Sequence, residues 1–289
     1  MTTIKNFIKN QPVLTYFILT FAISWGGFVL VVSPSGFLGT QEQFETVLPI
    51  AVLAMLVGPS VTGILLTGLV SGRAGLRELL SRLLKWRVGV RWYAVALLPA
   101  PLLAVTLIFA LSQTCPIFTA DKKVVILLAG IAAGFTTVLE ELGWTGFAIP
   151  RLRLRYSILT TSLIVGVLWA AWHFLQVLFV SGIYSGAVSL ALFLPLNFFS
   201  SSVAQLTAYR VLLVWIYDRT KSLLVTTLMH ASFTASTTVI FRPLETGVSF
   251  LTFQLVLTAA LWIVVAAVAV ANRGQLSRQP LREIKMQSM

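Results

Sequence analysis

Charged residues are scarce in this sequence, and they are unevenly divided between the two signs. Only 10% of the 289 residues are charged, with nine acidic against 21 basic side chains, whereas a soluble domain usually carries about 25% charged residues. Hydrophobic residues make up 57% of the chain, and the mean hydropathy is +0.92. The composition excludes a soluble globular protein and predicts an all-α integral membrane protein.

Cysteine and histidine are nearly missing as well. The single cysteine, Cys115, excludes an internal disulfide and a cysteine-based metal cluster. The two histidines, His173 and His230, lie far apart in the sequence, so the His-Glu-x-x-His signature of the common zinc proteases is absent.

Most of the sequence consists of long apolar runs. The first run is longer than the apolar core of a secretory signal and has no suitable cleavage site, so we expect it to be a retained helix. The chain is predicted to form a single polytopic membrane domain over 1–289, with a core at about 123–241 that carries the motifs. Eight spans of about 20 apolar residues each are expected near 12–32, 46–70, 91–112, 123–149, 158–181, 187–216, 221–241 and 247–271.

Basic residues cluster on alternate loops of this scheme. Only Lys122, Lys123 and Arg242 fall on one side, and the other 18 of the 21, with Arg210 counted among them, fall on the opposite side. By the positive-inside rule the basic loops and both termini are cytoplasmic. The net charge of +12 therefore follows from topology and from attraction to anionic lipid headgroups, and it requires no nucleic-acid partner. Leucines at helical spacing predict an amphipathic helix in the cytoplasmic interface at about 74–88.

Four ionisable side chains remain inside the predicted spans: Glu140, Glu141, His173 and His230. A charged residue at the centre of a membrane helix costs roughly 2.5–3.5 kcal/mol on insertion scales, so such residues usually face a partner or a wet cavity. They lie on three spans that can converge on one site. Helical spacing places four further side chains one turn from them: Trp144, Thr145, Trp169 and Thr234.

Two carboxylates and two imidazoles in a poorly solvated site are suited to hydrolysis. One glutamate can act as general base toward water, while the histidines orient that water or donate to the oxyanion on an attacked carbonyl. The predicted reaction is hydrolysis of a peptide bond within the membrane, with no cofactor. Zinc is the alternative, with Glu140, His173 and His230 as ligands and an open position for water.

Three stretches carry a resemblance to a known family: "EELGWTGFAIPRL", "LWAAWHF" and "SLLVTTLMHASFTAS". They resemble the CAAX prenyl endopeptidase-like intramembrane proteases, also called the CAAX protease and bacteriocin-processing group, whose motifs are Glu-Glu-x-x-x-Arg, Phe-x-x-x-His and His-x-x-x-Asn within an eight-helix fold. The resemblance implies that Glu140 is the base, Glu141 its supporting partner and His173 the second catalytic residue, with His230 completing the site.

Three motif positions differ from the family pattern. Thr145 replaces the arginine, Thr234 replaces the asparagine and Trp169 replaces the phenylalanine. Without the arginine, Glu141 is expected to lack a buried cation and to take up a proton more easily. These changes leave open a weak or inactive member that acts as a membrane scaffold or bacteriocin-immunity protein. A proton-coupled transporter is a third alternative, although no repeated half or interrupted helix pair favours it.

The resemblance also indicates what the partners are. Family members in eukaryotes cleave prenylated CAAX substrates, and bacterial and archaeal members act in peptide processing, bacteriocin immunity or partner stabilisation. A short chain with short loops favours a prokaryotic plasma membrane. The expected partners are the lipid bilayer and a membrane-associated protein or peptide substrate, with no oligomeric state indicated.

Overall fold

The protein is described by a computed structural model over residues 2–112, 123–240, 245–273 and 276. Every regular element in these ranges is helical, and none of the described residues forms a strand. The helices are α1 Thr2–Asn10, α2 Pro12–Val32, α3 Gln41–Thr46, α4 Leu48–Leu83, α5 Val90–Leu97, α6 Pro99–Ser112, α7 Lys123–Gly143, α8 Ile149–Leu152, α9 Ile158–Trp172, α10 Phe174–Tyr184, α11 Leu190–Asn197, α12 Gln205–Thr220, α13 Leu223–Phe233 and α14 Gly247–Ala271. Three π-helical segments interrupt them: π1 Trp144–Ala148, π2 Phe198–Ala204 and π3 Thr234–Ile240.

The predicted all-α membrane fold is confirmed. Seven helical stretches of the described chain are long and apolar enough to cross a bilayer, and α9 with α10 form an eighth that is bent by 54°. The bend lies at His173, which is the capping residue at the end of α9 and at the start of α10. The other seven stretches are Pro12–Val32, Leu48–Leu83, Val90–Leu111, Leu127–Leu152, Leu190–Thr220, Leu223–Ile240 and Gly247–Ala271.

Local sequence explains where the helices that carry the site begin. Ser157 precedes α9 in an extended conformation, and its hydroxyl accepts a hydrogen bond from the Thr160 backbone N–H. Ser222 does the same for α13 through Val225. Such caps satisfy backbone donors that the first turn of a helix leaves without partners. They fix the starting points of the two helices that carry His173 and His230.

The amphipathic helix is shorter than predicted. Gly72 has φ +63° and breaks α4, so the segment after it changes direction and ends at Leu83 rather than near residue 88. A positive φ is readily adopted by glycine, which explains the break at this position. Leu79 is buried against the bundle, while Leu76, Leu80 and Leu84 are exposed, as expected for a helix with an apolar side toward lipid.

The interior of the bundle is centred on α12. This helix packs against α9, α13 and α14, and most of its residues are buried. A helix enclosed on all sides can hold a charged side chain only if that side chain finds a partner in the interior. Arg210 is such a residue, and it is fully buried.

Candidate active site

A cavity of about 320 Å³ lies among the central helices. Glu140 from α7, His173 from the α9–α10 bend and His230 from α13 all line it. Trp169 and Thr234, two of the neighbours predicted from helical spacing, line it as well. The structure therefore brings three of the four ionisable residues, from three different helices, to one cavity.

Glu140 is held by a neighbouring indole. Its Oε2 accepts a hydrogen bond from Nε1 of Trp169 at 2.7 Å, and the residue is only 8% exposed. A phenylalanine at position 169 could not make this bond, because only the indole carries an N–H donor. The tryptophan at this motif position therefore adds a polar contact that fixes the carboxyl group at the cavity wall.

His173 owes its orientation to the bend. Its Nδ1 lies 2.9 Å from the backbone carbonyl oxygen of Trp169, in the last turn before the helix changes direction. A carbonyl oxygen only accepts hydrogen bonds, so Nδ1 carries the hydrogen in this contact. In the neutral ring, Nε2 then has the lone pair and can accept a hydrogen bond from water.

Glu141 lies behind the cavity wall and is completely buried. Nη1 of Arg210 is 3.0 Å from its Oε1 and 3.1 Å from its Oε2. Nδ1 of His230 lies 3.0 Å from Oε1, and the Thr145 hydroxyl donates to Oε2. One buried carboxylate thus connects a cation, a hydroxyl and an imidazole of the cavity.

Two sequence-based expectations about this carboxylate are wrong. Arg210 is not a loop residue, and Glu141 does not lack a buried cation, because α12 supplies one from a different helix. The sequence already indicated a buried cation, because Arg210 lies inside the span predicted at 187–216. Its long side chain also reaches the Trp169 ring, with the guanidinium carbon 4.0 Å from the ring centroid.

Trp144, like Thr145, is a predicted neighbour that does not line the cavity. It begins π1 and is fully buried, in edge contact with the rings of Tyr16 and Trp172. Its place is in the aromatic packing behind the site.

Several uncharged polar side chains of the cavity escaped the sequence analysis. Hydropathy averages over a window, so amides and hydroxyls inside an apolar helix are not distinguished from packing residues. Their helices belong to the fourth to eighth spans. The additional Ser, Thr, Asn and Gln residues that line the cavity are Thr136, Gln176, Asn197, Ser201, Ser202, Gln205, Thr237, Thr238 and Gln254.

The side chains that could bind a metal are few in the described part of the chain. Within the described ranges, no three or more side chains of His, Cys, Asp or Glu are grouped closely enough to hold a metal ion. Glu140, His173 and His230 share the cavity but do not form such a group. Zinc therefore remains the alternative, without a grouped donor set in the described part of the chain.

Known proteins match the part of the chain that carries the candidate site. Residues 119–236 match the family described as Rce1-like, type II CAAX prenyl endopeptidase Rce1-like. The "CAAX prenyl protease 2" of Methanococcus maripaludis is 31% identical over 145 residues, which are 46% of this chain and 49% of that protein. The match thus spans about half the length of this relative. The resemblance to the CAAX prenyl endopeptidase-like intramembrane proteases is thereby confirmed over the segment that carries Glu140, Glu141, His173 and His230.

Proposed function

We propose that this protein is an intramembrane endopeptidase that hydrolyses a peptide bond of a membrane-associated protein or peptide by glutamate-activated water. The observation that carries the proposal is the convergence of Glu140, His173 and His230 on one cavity within the membrane-spanning helices. The family resemblance gives independent support, since the matched family and relative are described as CAAX prenyl proteases.

Glu140 is the proposed general base. Its Oε2 is held by Trp169, so the carboxyl group is oriented before a substrate arrives. It takes a proton from water as the oxygen attacks the carbonyl carbon, and it later gives that proton to the leaving amine. A group that is already positioned needs no reorganisation during the reaction.

The two histidines take different parts in this proposal. Nε2 of His173 accepts a hydrogen bond from the attacking water, because its Nδ1 is occupied by the backbone of Trp169. Nδ1 of His230 lies against the Glu141 carboxylate, which orients the ring. With a proton on each ring nitrogen, Nε2 donates to the oxyanion, and Thr234, which lines the same cavity, is the proposed second donor.

The alternative is a weak or inactive member that serves as a membrane scaffold or immunity protein. Its sequence basis was the loss of the motif arginine and asparagine. The Arg210–Glu141 contact weakens the first argument, since a buried cation is present although it comes from another helix. Thr234 in place of asparagine remains the basis for this alternative.

Cleavage by the purified protein tests the proposal. We expect the detergent-solubilised chain to cleave members of a quenched fluorescent peptide library, with product masses that correspond to addition of one water. Cleavage should persist in a strong chelator and after metal-free purification. Loss of activity on chelation with recovery on adding zinc would instead support the metal alternative. A monodisperse protein that cleaves no peptide would support the scaffold.

A further inference from the structure

The cavity extends from the site in one direction only. On α7 its lining residues, such as Thr136, precede Glu140, and on α10 they run from His173 through Gln176 to Tyr184. On the chain after His230 they continue through Thr238. All of these lead away from the basic loops and toward the end of the bundle where α4 and α14 begin. Phe44 and Phe250 line the cavity at that end.

The opposite end is separated from the site by packed side chains. Trp144 and Phe147 are fully buried behind it, and the ring of Tyr16 contacts both. Nη2 of Arg82 donates to the Gly146 carbonyl at 3.0 Å, which attaches the amphipathic helix to π1. A second cavity at this basic end, which Arg82 lines, shares no lining residue with the first.

Charge inside the first cavity limits what it can hold. Among its lining residues in the described chain, Glu140 is the one carboxylate, and neither lysine nor arginine is present. A free C-terminal carboxylate would be placed there without a cation, which is unfavourable in a poorly solvated site. The amides of Gln176, Asn197 and Gln254 instead supply both donors and acceptors, which suit the backbone of an extended, uncharged segment.

We propose that the substrate is a membrane-anchored polypeptide whose scissile bond lies in an uncharged segment at the end of the bilayer opposite the basic loops, from which it enters the cavity. By the positive-inside rule this end is extracytoplasmic. That the bound polypeptide is a substrate rests on the proposed function. The direction of access follows from the cavity and the charge distribution alone.

Two reporters test the substrate class. A sequence cleaved by the purified protein is placed next to a single membrane span, on the extracytoplasmic side in one reporter and on the cytoplasmic side in the other. In intact cells we expect cleavage of the first only, whereas both should be cleaved in detergent, where sidedness is lost. Cleavage of the cytoplasmic reporter in cells would overturn the proposal. Failure of both in detergent would count against the proposed function instead.

Accessibility tests the direction without relying on activity. Gln176→Cys and Gln254→Cys, each in a Cys115→Ser background, should react with a small charged methanethiosulfonate reagent added to intact cells. Ser81→Cys, which lies at the second cavity, is the matched control and should react only after permeabilisation. Reaction of the two cavity positions only after permeabilisation would overturn the proposed direction of access, whether or not the protein is a protease.

Discussion

At the scale of single residues, the main feature is a buried ion pair that joins α12 to α7, the helix that carries Glu140. Arg210 and Glu141 are both completely buried, with Nη1 3.0 Å from Oε1. Removing one partner of a buried pair typically costs about 3–5 kcal/mol, because the other charge is left without compensation. The same guanidinium lies over Trp169, whose indole holds Glu140. Arg210 therefore acts on the site through its neighbours, as a positioning residue.

If Arg210 serves as the cation for Glu141, an arginine at another position next to Glu141 should be able to replace it. Arg210→Leu should lower stability and cleavage strongly, since Glu141 then has no cation. Adding Thr145→Arg should restore part of both, because position 145 is one helical turn from Glu141 and its hydroxyl already contacts that carboxylate. Thr145→Arg alone should bring no gain, as the carboxylate is already paired. Cleavage rate and thermal unfolding are the measurements.

The control for this exchange is Arg219→Leu, the same change at the exposed end of the same helix. We expect it to leave the cleavage rate near that of the parent. A double variant no more active than Arg210→Leu, although folded, would show that Arg210 does not serve the role that the family motif gives to its arginine.

At the scale of helices, glycines allow α4 and α7 to approach each other closely next to the site. A Cβ on Gly63 would lie 2.8 Å from Cα of Gly143, and one on Gly143 would lie 2.3 Å from the Pro59 carbonyl oxygen and from the Tyr16 hydroxyl. Small residues at such crossings permit close backbone packing in membrane bundles. Gly143 is two residues from Glu141, so the position of α7 depends on this contact.

Gly143→Ala tests this packing. Overpacking of a close contact costs typically about 1–3 kcal/mol, so we expect a lower unfolding temperature and a reduced cleavage rate, since Glu140 and Glu141 move with the helix. Gly26→Ala is the matched control, because a Cβ there has no atom within 4 Å. Equal stability of the two variants would show that the close approach is not required.

The sequence predicts helices well and their interruptions poorly. Apolar runs specify the spans because the bilayer requires them, and isolated ionisable residues indicate Glu140, Glu141, His173 and His230. The residues that depend on interactions between helices were not predictable in the same way. Arg210 pairs across 69 positions of sequence, and Trp144 packs against Tyr16 and Trp172 of other helices rather than lining the cavity.

At the scale of the whole molecule, the orientation in the membrane determines which side a substrate reaches. With Arg210 assigned to the interior, 17 of the 21 basic residues remain in the loops and termini of one side. This still favours cytoplasmic basic loops and termini, which together with a plasma-membrane location and a single domain remain predictions for the chain.

Cysteine labelling tests that orientation with loop positions rather than cavity positions. In a Cys115→Ser background, three cysteines are placed on the side with few basic residues and two on the basic side. We expect the first three to react from outside the cell and the last two only after permeabilisation. Reversal at any one position would mean that the number of spans before it is wrong. The outer positions are Glu42, Ser185 and Glu245, and the inner positions are Ser81 and Arg278, the last of which lies outside the described residues.

The central claim is that Glu140 activates water in this cavity, and the most direct measurement is the single-turnover cleavage rate of Glu140→Gln. Gln keeps the shape and can still accept from Trp169, but it cannot take a proton from water. We predict a loss of about 10²–10⁴-fold, the usual contribution of general acid–base catalysis, with unchanged membrane insertion. His173→Ala should lose activity as well, while Glu42→Gln, the same change at an exposed site, should match the parent. A Glu140→Gln variant that cleaves at nearly the parental rate would contradict the account.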